Sequence, residues 1–112
     1  MYKRQLQHLS LGGTKITDIN ILEGMPLTYL GLAGTTITDI SILKGMSLTM
    51  LELRNTAVKD LTPLIGMPLE YISLPDNPQN IDFLRKVKSL RRINKKPAAQ
   101  FWREYDETQK KK

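Results

Sequence analysis

The chain carries one histidine, His8, and no cysteine. A lone imidazole does little proton chemistry unless a carboxylate or a nucleophile stands beside it. The most regular carboxylates are Asp18, Asp39 and Asp60, and they recur every 21 residues instead of converging in pairs. The glycines at Gly12 and Gly13 lack the spacing of a phosphate-binding loop. A ladder of aspartates binds calcium in some repeat proteins, but within a Gly-rich nonapeptide pattern that is absent here. The pattern therefore predicts a non-enzymatic protein with no metal and no cofactor. The work expected of Asp18, Asp39 and Asp60 is to cap a turn by accepting backbone N–H bonds.

What positions these residues is a repeat. Leu6, Leu27, Leu48, Leu69 and Leu90 stand 21 apart, as do Leu9, Leu30, Leu51, Ile72 and Ile93. Leu11, Leu32, Leu53 and Leu74 form a third column, and Gly24, Gly45 and Gly66 a fourth. Residues 6–26 and 27–47 are identical at 13 of 21 positions. In each copy, the alternation Leu9-x-Leu11 predicts a short strand with its leucines on one face. One such strand cannot bury its leucines alone, so successive copies must stack into a parallel sheet over a shared core. Ile16, Ile19 and Leu22, spaced by three, predict a short 3₁₀-like return. Gly24 and Pro26 then end it.

A fixed period with L-x-x-L-x-L is the leucine-rich-repeat signature. The fold class expected is α/β: a right-handed leucine-rich-repeat solenoid with a parallel sheet of about five short strands, 3₁₀-like returns and a C-terminal capping helix. It forms a single domain over residues 1–112, with repeats at 6–26, 27–47, 48–68 and 69–89, a stub at 90–96 and a helical cap at 97–109. Thr14, Thr35 and Thr56 occupy a slot that needs a side chain able to bond backbone groups at the strand-to-loop bend, and Asn77 is expected to fill it in the fourth copy. Pro97 suits a helix start. Ala98, Phe101, Trp102 and Tyr105 then share one side, either as a lid over the core or as an exposed docking face.

The "GMPL" junctions and the tail "LRRINKKPAAQFWREYD" are more particular than the repeat itself. They resemble the C-terminal repeat regions of planctomycete-type bacterial serine/threonine protein kinases and related large proteins, some of which carry β-propeller repeats. The resemblance covers Leu6 to about Asp106. It implies a protein-interaction solenoid at the end of a signalling protein. It implies no kinase activity, because none of the kinase signatures occurs.

Residues opposite the core leucines point to the other face of the sheet. His8, Tyr29, Met50, Tyr71 and Arg92 form one such column, with Glu52 and Arg54 beside it. Adjacent Tyr and Met are what protein-binding surfaces use, so this concave face is the expected site for an unidentified protein partner. Glu52 and Arg54 could pair with each other or with that partner, and the small Gly31, Ala33 and Ser73 leave a shallow trough. The same column could equally be a stabilising cross-strand ladder.

The net charge of +6 is uneven: six Lys/Arg stand against eight Asp/Glu through residue 84, and eleven against three after it. The basic cluster from Arg85 to Arg103 admits phosphate, an acidic partner or electrostatic binding of nucleic acid, though no nucleic-acid motif accompanies it. No apolar run approaches the roughly 20 residues of a membrane span, and no signal peptide is visible, so a cytoplasmic setting is expected. Only five residues precede the first repeat, too few for a polar cap. The edge at Leu6, Leu9 and Leu11 is then open to self-association as a homodimer, to completion by a longer solenoid, or to fraying.

Overall fold

The structure is a computed structural model that describes residues 7–110. It is an α/β arrangement of one six-stranded sheet and one C-terminal helix. Strands β1 (His8–Ser10), β2 (Tyr29–Gly31), β3 (Met50–Glu52), β4 (Tyr71–Ser73) and β5 (Arg92–Ile93) pair in sequence order, each parallel to the next. The register is the period itself, with His8 opposite Tyr29, Tyr29 opposite Met50, Met50 opposite Tyr71 and Tyr71 opposite Arg92. One backbone carbonyl per copy receives two successive N–H groups of the next: Gln7 accepts from Thr28 and Tyr29, Thr28 from Thr49 and Met50, and Thr49 from Glu70 and Tyr71.

Between strands the chain returns through 3₁₀ turns at Asn20–Leu22, Ser41–Leu43, Thr62–Leu64 and Asp82–Lys86. Spacing by three suits three residues per turn, and the expected residues go inward. Ile19 and Leu22, Ile40 and Leu43, Leu61 and Leu64, and Ile81 and Leu84 are all buried against the strand leucines. The aspartates do what the pattern predicted. The N–H groups of Asn20, Ser41 and Thr62 donate to Oδ1 of Asp18, Asp39 and Asp60 at 2.8, 2.8 and 3.0 Å. Gly24, Gly45 and Gly66 each take φ between 79° and 91° after the turn, a conformation closed to most side chains.

The threonine column closes the strand ends. Thr14, Thr35 and Thr56 donate their hydroxyls to the carbonyls of Leu11, Leu32 and Leu53 at 2.7–2.8 Å. Thr35 and Thr56 are buried. Asn77 does not continue this column. It adopts a left-handed φ of 49° and makes no side-chain hydrogen bond among the described residues.

The sheet ends differently from the expectation of about five parallel strands. Asn94 and Lys95 both take positive φ, 53° and 71°. Two consecutive left-handed residues make the tight hairpin turn whose twist matches its strands. The chain therefore reverses, and β6 (Lys96–Pro97) runs antiparallel to β5, with Arg92 opposite Pro97. Because β5 stops at Ile93, no strand carbonyl remains to receive the Leu74 N–H, and the Asn94 Oδ1 accepts it at 2.8 Å instead. In the earlier copies that acceptor is the backbone carbonyl of Gly31, Glu52 or Ser73.

Helix α1 (Ala98–Lys110) begins one residue after Pro97. Ala98, Phe101, Trp102 and Tyr105 pack half-buried against the core, which favours the lid over the exposed docking face. Arg85 ties the lid down. Its guanidinium lies 4.2 Å from the Trp102 ring centre, donates to both carboxylate oxygens of Asp106 at 2.6 and 3.3 Å, and reaches Asp82 at 3.0 Å. Lys96 pairs with Glu104 on the same helix. Among the described residues no helix is long and apolar enough to cross a membrane.

Candidate functional site on the open sheet face

The core lies on one side of the sheet, where Leu30, Leu51, Ile72 and Ile93 are fully buried. Of the strands, helix α1 touches only β5 and β6. Among the described residues the other face of β1 to β4 is left open, and it carries the column His8, Tyr29, Met50, Tyr71 and Arg92 in register.

The column is not uniformly available. The Tyr29 ring stacks on His8, with centroids 4.0 Å apart and planes 13° from parallel. Its hydroxyl donates to Glu52 Oε1 at 2.7 Å. Glu52 sits on the neighbouring strand, two residues beyond the position opposite Tyr29, within diagonal reach of a long side chain. Glu52 thus engages Tyr29, and Arg54 takes no part. That contact, helped by partial burial and by the negative charge itself, pushes the Tyr29 hydroxyl up from 10.0 to about 12. The trough expected at Gly31 is filled, because the Tyr29 hydroxyl, the Glu52 carboxylate and Ser10 close over that glycine.

The second tyrosine bends over its own strand. Tyr71 and Ser73 share a hydrogen bond of 3.0 Å, and Ser73 is buried beneath it. Met50 between the two tyrosines is 40% exposed. Arg92 is exposed, with one long bond from Nη1 to the Lys95 carbonyl at 3.3 Å. The structure therefore brings His8, Tyr29 and Glu52 into one closed cluster. It leaves Met50, the Tyr71 ring, Arg54 and Arg92 as the open part of the face.

Two depressions adjoin that open part. One of about 390 Å³ is lined by Met50, Glu70, Tyr71, Arg91, Arg92 and Pro97. The other, about 310 Å³, lies at the far ends of the same strands and is lined by Arg54, Pro75, Asp76, Asn94 and Lys95. A third and wider groove of about 690 Å³, lined by Thr36, Asn55, Lys59, Asp76, Asn77 and Gln79, runs along the loops and holds none of the expected site residues.

His8 makes no side-chain hydrogen bond among the described residues, and its neighbour is the Tyr29 ring. Among the same residues no group of three His, Cys, Asp or Glu is placed to hold a metal ion. At the proposed self-association edge, Leu9 and Leu11 are half-buried where their equivalents in the next two copies are fully buried. Leu6 lies outside the described residues. In the basic segment, Arg85 and Lys96 are engaged by helix α1, whereas Arg91 and Lys95 make no side-chain bond to any described residue.

No protein-family model matches the chain, and no curated protein matches it in sequence.

Proposed function

We propose that this chain is a right-handed leucine-rich-repeat solenoid that acts without catalysis, binding another protein on the open, concave face of its sheet. The observation that carries the reading is the registered row Tyr29, Met50, Tyr71 and Arg92 on a face that no other element of the described residues covers between β1 and β4. An uncovered row of aromatic, thioether and guanidinium groups has the composition of an interface core. Tyr29 and its cluster stiffen the row, and Met50 with Tyr71 offers the apolar contact. The repeat supports the solenoid half of the reading, since each copy bonds only to its neighbours at a constant offset.

The test is a photo-crosslinking side chain placed at Met50, compared with one at Ile21, which is 77% exposed on a return turn. A protein partner in cells gives a discrete adduct from position 50 that Tyr71→Ala weakens, and none from position 21. Equal labelling from both positions, or none from 50, rejects the site.

A second reading has its own support. Leu9 and Leu11 keep apolar surface that their counterparts bury, so a second copy meeting β1 would complete the core of the first repeat. Light-scattering mass across a wide concentration range tests it, and a monomer throughout excludes it.

A further inference from the structure

We propose that the partner of the open face is an extended acidic segment of protein, seated over β3 to β5 with carboxylates at both ends and an apolar side chain between them. This rests on the interaction reading above and narrows it. The geometry that points to it is the pair of depressions on one face. The first is lined by the apolar Met50, Tyr71 and Pro97 together with Arg91, Arg92 and one carboxylate, Glu70. The second carries Arg54 and Lys95. Tyr71 lines the first and Pro75 the second, and the four residue steps between them span about 13 Å where the chain is extended. An extended segment of four to five residues covers that distance.

The charge on this half of the face is complementary to such a segment. Arg54, Arg91, Arg92 and Lys95 stand against Glu70 and Asp76, and none of these six is in an ion pair within the described chain. Glu52, the other carboxylate nearby, accepts from the Tyr29 hydroxyl and makes no ion pair with Arg54. Lys96 is likewise withdrawn by Glu104. The internal bonding thus leaves the cations over-represented where the depressions lie. Two guanidinium groups on the face, at Arg54 and Arg92, suit carboxylates by their paired donors. Nucleic acid would be drawn by the same cations, but the first depression offers a thioether and a tyrosine ring pinned by Ser73, with no run of stacking aromatics for successive bases.

The experiment is fluorescence anisotropy on the full chain with three labelled probes: a peptide of two leucines flanked on each side by two glutamates, its glutamine counterpart, and a twelve-residue oligothymidylate. The acidic peptide is expected to bind at least tenfold tighter than the glutamine peptide, and to weaken as salt is raised. Arg54→Glu with Arg92→Glu, both exposed positions that leave the core intact, is expected to cut its affinity at least tenfold. Lys15→Glu with Lys59→Glu makes the same change in net charge away from the face and is expected to change it less than twofold. Met50→Ser is expected to weaken both peptides alike. Equal binding of the two peptides overturns the acidic preference. Equal loss in the two charge variants overturns the location. An oligonucleotide that binds more tightly than the peptide and displaces it overturns the partner class. Any of these with the Met50 crosslink intact fails this inference alone, whereas loss of that crosslink fails the interaction reading beneath it.

Discussion

Gly31→Ala tests the closed cluster from an unusual direction. A methyl built on Gly31 would lie 3.0 Å from the Tyr29 hydroxyl and 3.3 Å from both Glu52 Oε1 and Ser10 Oγ. The backbone permits alanine there, so the obstacle is the tyrosine lying across the glycine. The hydroxyl is the far end of a flexible side chain and is the group that yields. A hydrogen bond to a charged acceptor contributes about 1.5–3 kcal/mol when buried, and on this half-open face screening reduces that to about 1 kcal/mol. Alanine in place of glycine in a strand returns about 0.5–1 kcal/mol. The expected outcome is therefore a melting temperature within about 2 °C of the parent, although a specific bond has been broken. Tyr29→Phe removes the same bond without that gain and is expected to lose about 1 kcal/mol, or about 4 °C. Ultraviolet titration of tyrosinate separates the cases. In the parent, Tyr29 is expected to ionise at about 12 against an ordinary 10.0. Since the folded value is the higher one, the bond's contribution is whole below pH 10 and fades as pH rises to about 12. Both variants are expected to lose the late step, and the stability gap between parent and Tyr29→Phe to close over that window. A late step that survives in Gly31→Ala would show that the hydroxyl does not lie over Gly31, and the reasoning would fall.

Three further outcomes are expected. Leu51→Ala, in the central strand and fully buried, costs about 3 kcal/mol by chemical denaturation; a loss under 1 kcal/mol would place the core elsewhere. Thr56→Val costs about 1–2 kcal/mol because the buried Leu53 carbonyl loses its hydroxyl donor, while Thr14→Val, the same bond in an exposed copy, costs clearly less; equal losses would remove the role given to burial. Arg85→Lys gives up the forked contact to Asp106 and the flat stack on Trp102, so Trp102 fluorescence shifts red at neutral pH. In the parent, Arg85 holds the Asp106 carboxyl below its ordinary 3.8. A depressed value means the clasp is intact above pH 3.8 and is lost as pH falls through the lower folded value, and the emission should shift only there. A shift that begins well above pH 4 would contradict the clasp.

The strands and returns were legible because a period of 21 is a geometric instruction. Each column of leucines can be buried only if copies stack in register, and the buried residues follow from that. The aspartate and threonine columns were legible for a related reason, since their short side chains reach only the backbone beside them. What escaped was set by single residues. Lys95 hid the hairpin, because lysine is an unusual occupant of a left-handed turn position and Asn94 without a following glycine is a weak turn signal. Asn77 looked like a ladder residue by spacing, yet the local chain, interrupted by Pro75 and Pro78, gives it a left-handed backbone and a different surrounding. Tyr29 and Glu52 are 23 apart, one period plus two, so a search along columns passes over them while a search along diagonals finds them. The open face was visible as a list of residues; which of them were already committed to one another was not.

The hairpin at Asn94 and Lys95 also gives the stack a direction. Beyond β5 the next backbone in line is β6, which runs the opposite way, carries Pro97 with no N–H to offer, and is followed at once by helix α1. A further parallel copy has nothing to bond to there. An added 21-residue unit placed between residues 47 and 48 meets the same neighbours on both sides that its equivalents already meet, and it keeps the register intact. Growth of such a chain by duplication is thus barred at its C-terminal end. Its length is free to vary while its last strand stays a fixed full stop.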